Sequence, residues 1–144
     1  EDAEAVLLIL GSAWGAACAA ADRFRASGHK VGVVRLRVFR PFPYSALKQA
    51  VGHIPIIGVV ERMANIGVAF GPVAADVRAA LFGVTPGQRV AQFVCGLGGR
   101  DATVATMMKA FERLLSGDGK GMDEAEWLDV RPGAMEIREV SDDA

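Results

Sequence analysis

Four short apolar runs, each followed by a segment with helical spacing, set what this chain can fold into. They are residues 5–10 (AVLLIL), 31–39 (VGVVRLRVF), 54–60 (IPIIGVV) and 89–95 (RVAQFVC). The first and third are almost unbroken in apolar residues, as in strands covered on both faces of a parallel sheet. In the second, Arg35 and Arg37 alternate with Leu36 and Val38, so its end is half exposed or reaches toward something anionic.

The intervening segments carry the helical period. Trp14, Ala17, Cys18, Ala21 and Phe24 fall on one face, with Ser12 placed as N-cap and Gly28 as the residue that ends the helix. A short helix is expected over residues 43–51, and Pro72 opens another with Val73, Val77, Ala80 and Leu81 inward. Val104, Met107, Met108, Phe111, Leu114 and Leu115 define the last. The order β-α-β-α-β-α-β-α predicts an α/β fold, an open and mainly parallel sheet with helices on both faces, Rossmann-like and three-layered.

At 144 residues the chain is one domain's worth. The periodic part, residues 1–115, is expected to be that domain. Residues 116–121 (SGDGKG) have linker composition, and residues 116–144 are expected to be a flexible linker and acidic tail with Trp127 and Leu128 as its apolar anchors. Within that tail, residues 135–140 (MEIREV) have the makings of a short edge strand, and the final SDDA is expected to be disordered. The first residue is Glu1 and the first strand starts almost at once, which suggests a fragment, a processed chain or an excised domain.

Global properties exclude some partners. A net charge of −1 and a pI near 6.2 give nothing that attracts nucleic acid or an anionic membrane. No apolar run approaches the ~18 residues of a membrane span. Cys18 and Cys95 have no metal-ligand spacing and fit a reducing, cytoplasmic setting.

Chemistry-bearing motifs are sparse. The turn Gly96-Leu97-Gly98-Gly99-Arg100-Asp101 follows a strand and opens a helix, where a phosphate-binding turn would sit. The dinucleotide fingerprint needs glycine at its sixth position, and Asp101 stands there; as an acid it opposes a phosphate and suits a helix cap. Gly11–Gly15 lacks the length and the lysine of a P-loop. His29 and His53 precede strands, at the end of the sheet away from where α/β folds gather ligands. Cys95 lies beside Arg100, which can lower a thiol pKa, but a buried inert thiol is the simpler expectation. Glu61 ends the third strand, within reach of Arg62 or Arg100 or of a neighbouring subunit. Arg37, Arg40, Arg62 and Arg100 all fall at or just past strand C-termini and together suggest a positive rim, an anion site or a charged interface. No catalytic residue, cofactor-binding residue or metal ligand is assigned.

Three of these segments carry a resemblance. Leu36-Arg37-Val38-Phe39-Arg40-Pro41-Phe42-Pro43 resembles the strand-to-PFP passage of the 2-oxoacid:ferredoxin oxidoreductases. Val59-Val60-Glu61-Arg62, then Gly67 and Gly71-Pro72, looks like their next strand and turn, although Met63 and Ala64 stand where the family has a more polar turn. The Gly96–Asp101 turn is similar to their terminal glycine turn. The resemblance spans residues 3–115 and implies a domain like the C-terminal domain of transketolase, in an α subunit or a fused chain. It implies, for the whole enzyme, oxidative decarboxylation of a 2-oxoacid with thiamine diphosphate, Mg²⁺ and iron–sulfur clusters, usually forming an acyl-CoA and reducing ferredoxin.

On that resemblance the chain is expected to be a non-catalytic interface domain holding no cofactor of its own. Its partners would be other domains or subunits of the same enzyme and, through the complex, a ferredoxin-type acceptor. Arg37, Arg40, Glu61, Asn65, Arg100 and Asp101 are the candidates for the interface or anion edge. The rivals are a free-standing module for a phosphate-bearing ligand such as a nucleotide or CoA, and a hydrolase using Cys95.

Overall fold

The structure, a computed structural model, describes residues 2–130. Five parallel strands, β1 (Ala5–Leu10), β2 (Val31–Leu36), β3 (Ile56–Glu61), β4 (Arg89–Val94) and β5 (Glu126–Trp127), lie in the order β2-β1-β3-β4-β5. Helices α1 (Trp14–Ala26), α2 (Tyr44–Val51), α3 (Pro72–Leu81) and α4 (Val104–Ser116) connect them. The strand order reverses between β1 and β3, the place where open α/β sheets leave a crevice beyond the strand C-termini.

Side-chain alternation sorts the core into two layers. Ala5, Leu7, Ile9, Val60, Ala91 and Phe93 pack under α1 and α4 with Ala17, Ala20, Met107 and Phe111. Val6, Leu8, Ile57, Val59 and Val90 pack on the other face under α2 and α3 with Leu47, Val51, Val73 and Val77. Two buried faces explain why β1 is apolar throughout and β3 is apolar up to Glu61. Gly58 is part of the first layer: a Cβ there would lie 2.8 Å from Leu7 Cδ2 and 3.0 Å from a Phe93 ring carbon, so a side chain at this point would push the layer apart.

Several boundaries move from the sequence expectation. β2 stops at Leu36; Arg37 to Phe39 leave the sheet toward a cis Arg40–Pro41 bond. Ser12 does not cap α1, whose N-cap is Ala13, while Gly28 does follow the helix, at φ +91°. Asp101 does not cap α4 either. That cap is Thr103, whose hydroxyl oxygen accepts from Thr106 N at 3.1 Å.

The expectation of a linker and tail after residue 115 is corrected as far as residue 130. β5 extends the sheet, with Phe93 opposite Glu126 and Val94 opposite Trp127, and Leu128 is buried in the α1/α4 layer. Arg78 of α3 fixes the approach: its guanidinium lies 3.8 Å from the Phe70 ring centroid and donates to the carbonyls of Val90 and Met122. Gln92 N donates to Gly121 O at 2.8 Å, and Arg113 pairs with Glu126 at 3.0 Å. The suggested strand over 135–140 and the final SDDA lie outside the described residues.

Candidate functional site

The C-terminal edge of the sheet carries all six expected site residues, but the structure uses them in different ways. Glu61 closes β3 on the same face as Ile57 and Val59, directly under the start of α3, and is 5% exposed. Its Oε1 accepts from Val73 N at 2.9 Å, and its Oε2 accepts from Ala74 N at 3.0 Å and from Gln92 Nε2 at 2.9 Å. Gln92 Oε1 in turn accepts from Gly71 N at 2.8 Å.

This network satisfies the whole N-terminus of α3. Pro72 has no N–H to lose, and Gly71, Val73 and Ala74 are the free donors. The carboxylate also sits at the positive end of the helix dipole. Gly71 has to be small: a Cβ would lie 2.7 Å from both Glu61 Oε2 and Gln92 Nε2. Burial pushes the Glu61 carboxyl above its ordinary range, the Val73 and Ala74 amides pull against this, and Asp76 adds to the rise. Glu61 is therefore an internal helix anchor; the expected pairing with Arg62 or Arg100 is corrected.

The arginines do not form a free rim. Arg40 pairs with Asp76 of α3 at 2.7 Å and covers the Phe39 ring at 3.8 Å, clamping the PFP passage to the helix. Arg62 donates to Gly96 O at 3.0 and 3.2 Å, tying the β3 exit to the glycine turn. Arg100 donates to the Asp129 carbonyl. Arg37 is exposed and has no ion pair among the described residues. Asn65 holds its own loop through Phe70 O at 3.4 Å, and Asp101 is exposed.

The glycine turn borders a recess of about 350 Å³ lined by Cys95, Gly96, Leu97, Arg100, Trp127 and Asp129 among others. A phosphate at the start of α4 would meet a carboxylate already there. Asp129 accepts from Thr106 Oγ1 and from Lys109 Nζ at 2.6 Å. Burial opposes its ionisation, but Lys109, Thr106 and Arg100 outweigh that and hold it below the usual carboxylate range. These residues do not fit a diphosphate. Among the described residues no three His, Cys, Asp or Glu side chains gather as metal ligands. Burial pushes the Cys95 thiol up to about 11, with Asp129 adding to the rise and Arg62 opposing it, so it is not an activated nucleophile. His29 and His53 lie in the turns before β2 and β3, at the opposite end of the sheet.

Sequence reasoning missed Gln92, Thr103 and Asp129. Gln92 had a signal: it is the one polar residue inside its apolar run, and counting alternate residues back from it puts it on the α3 face. Thr103 had one too, as a Thr directly before Val104, the first apolar residue of the helical period, and its cap to Thr106 N is local. Asp129 had none, because its bonds to Thr106 and Lys109 close a long loop.

Comparison with known proteins assigns the family. Residues 3–107 match the model of pyruvate:ferredoxin oxidoreductase core domain II. The chain belongs to that family. Among curated relatives it is 34% identical over 131 residues to pyruvate synthase subunit PorA of Thermotoga maritima, covering 91% of this chain and 33% of that protein. It is 32% identical over 134 residues to the alpha subunit of NADH-dependent phenylglyoxylate dehydrogenase of Aromatoleum evansii, covering 91% and 32%. It is 32% identical over 133 residues to ketoisovalerate oxidoreductase subunit VorA of Pyrococcus horikoshii, covering 91% and 34%. The chain thus spans about a third of the length of these relatives. A solved structure described as a split gene transketolase, inactive beta4 tetramer, superposes with a TM-score of 0.62 at 18% identity, covering 81% of this chain and 39% of that one. The domain II fold is thus transketolase C-terminal-like. No helix among the described residues is long and apolar enough to cross a membrane.

Proposed function

We propose that this chain is the non-catalytic, interface-forming domain of a thiamine-diphosphate-dependent 2-oxoacid:ferredoxin oxidoreductase that works in the cytoplasm. The complete enzyme would oxidatively decarboxylate a 2-oxoacid, usually to an acyl-CoA, with Mg²⁺ and iron–sulfur clusters held elsewhere in the assembly. Its relatives are named as subunits of pyruvate, ketoisovalerate and phenylglyoxylate enzymes, which supports a 2-oxoacid substrate. The observation that carries the structural role is how the polar groups at the strand ends are used. Glu61 anchors α3, Arg40 and Arg62 brace loops, and Asp129 fills the start of α4. Polar groups bound to one another in this way hold loops in place and are unavailable to a substrate.

The test is 2-oxoacid-dependent reduction of a ferredoxin-type acceptor by the assembled enzyme. Arg37→Ala and Asp101→Ala together should lower assembly or turnover without lowering the melting temperature of the chain. Unchanged assembly and turnover would refute the interface role. Calorimetry with coenzyme A, nucleotides and thiamine diphosphate addresses the rival: saturable micromolar binding to this chain would favour a phosphate-binding module.

A further inference from the structure

The loop between β3 and α3, residues 62–70, turns apolar side chains toward solvent. Ile66 is 102% exposed, Val68 60% and Met63 51%. Nothing within the described chain offsets that exposure. The base of the loop is nonetheless held firmly. Glu61 and Gln92 fix its two ends through Val73, Ala74 and Gly71. Asn65 bonds to Phe70 O, Phe70 lies under the Arg78 guanidinium, and Ala69 O accepts from Ala125 N at 2.9 Å. A tip of three apolar residues on a fixed base loses little further freedom when it is covered.

The patch is wider than the loop. In the parallel register Leu10 lies opposite Leu36 and Ile9 opposite Val60, so the exits of β2, β1 and β3 stand side by side. Leu10, at the end of β1, and Val38, two residues beyond the end of β2, are exposed at these exits, as is Met63, two residues beyond the end of β3. The charges along this stretch are positive. Arg37 and Arg62 are exposed and have no carboxylate partner among the described residues, and Arg35 lies 5.8 Å from the Trp14 ring centroid. The exposed acids lie on the opposite flank: Glu124, next to the exposed Asp123, shares a recess with Asn65 and Val68 on the β5 side of the loop, and Asp101 follows the glycine turn.

We propose that loop 62–70 is the docking element of this domain: Ile66, flanked by Met63 and Val68, enters an apolar recess on another domain or subunit of the oxidoreductase. The recess is bordered by carboxylates that face Arg37 and Arg62. This rests on the proposed function. The charge pattern selects the acidic border, and the chain's share of about a third of its relatives' length means that in such proteins most of the subunit lies outside this fold.

The test uses the assembled enzyme that contains this chain. Ile66→Asp should weaken assembly by about tenfold or more, the loss expected of a central anchor residue. Phe82→Asp, at a site 90% exposed at the other end of the sheet, should leave assembly unchanged. In the assembled wild-type enzyme, peroxide should oxidise Met63 more slowly than the half-buried Met122, the reverse of the order their exposure in this structure gives. The footprint needs no variant, so it decides the matter even if Ile66→Asp fails to fold. Normal assembly of Ile66→Asp in an enzyme that still oxidises its 2-oxoacid, or Met63 oxidised faster than Met122, would overturn the docking role and leave the functional reading intact. Loss of assembly on Ile66→Asp, together with an assembled wild-type enzyme that oxidises no 2-oxoacid, would uphold docking and remove the functional reading. If wild-type chains pair with each other through this loop and Ile66→Asp makes them monomeric, the occupant is a second copy and the proposed one is wrong.

Discussion

Replacing Gln92 with glutamate tests the anchor of α3 with almost no change of shape. In the native network the Gln92 amide donates to Glu61 Oε2 at 2.9 Å while its carbonyl accepts from Gly71 N. A carboxyl in its place can still accept from Gly71. It can bond to Glu61 only by keeping a proton, because two carboxylates at that separation cannot both ionise. In the unfolded chain the introduced carboxyl loses its proton near the ordinary value of about 4.3. Between that pH and the raised value of the native pair, the folded state holds one proton more than the unfolded state. Stability then falls by about 1.4 kcal/mol for each unit rise in pH. A native pair that keeps its proton up to pH 7 would lose about 3.7 kcal/mol over the range from about 4.3 to 7. For a chain of 144 residues this corresponds to roughly 10–15 °C in melting temperature. Thermal melts of wild type and Gln92→Glu followed by circular dichroism from pH 4 to pH 8 give the measurement. The two curves should nearly coincide at pH 4 and separate steadily above pH 5. A constant difference across that range would mean that Gln92 does not face Glu61, and the account of the helix anchor would fail.

Two further outcomes follow from the packing. Leu128→Ala should cost about 2–4 kcal/mol in urea unfolding, because Leu128 is buried between β4 and α4; a change within ±0.5 kcal/mol would mean that the segment after α4 does not belong to the fold. Cys95, buried with a thiol pushed up to about 11, should resist a disulfide reagent at pH 8 in the folded chain while the partly exposed Cys18 is labelled first; rapid labelling of both would refute the burial of Cys95.

Much of the fold was legible because each signal was local. The continuous apolar runs of β1 and β3, the helical period from Val104 to Leu115, and Pro72 at the first position of α3 need no distant partner to be recognised. β5 was not legible: a two-residue strand has no alternation to show, and its place depends on Gly121 and Leu128 meeting a strand some thirty residues earlier and on Arg78 linking that strand to Met122. The candidate site was legible as an edge but not in its bonding. Five of the six residues lie beyond strand ends and Glu61 at the last position of β3, since topology alone decides that. Which of them face solvent depends on strand phase and on helix starts. Counting by twos from Val59 puts Glu61 under α3, and with that its pairing with an arginine is ruled out.

That correction changes what the edge is suited to. A substrate or phosphate site needs polar groups with unsatisfied bonding capacity at the moment of binding. Here the Glu61 carboxylate takes three donors, Arg40 and Arg62 are bonded within the chain, and Asp129 stands where the α4 dipole would attract an anion. Among the described residues, the groups of this edge left without internal partners are mainly apolar: Leu10, Val38, Met63, Ile66 and Val68, with the exposed Arg37 on the same side. Such surface gains free energy when another protein covers it and gains little from a small polar ligand. The internal bonding and the exposed loop thus follow from one arrangement. The polar side chains fix the backbone at the strand ends, and the fixed backbone holds an apolar surface in the geometry a partner must match.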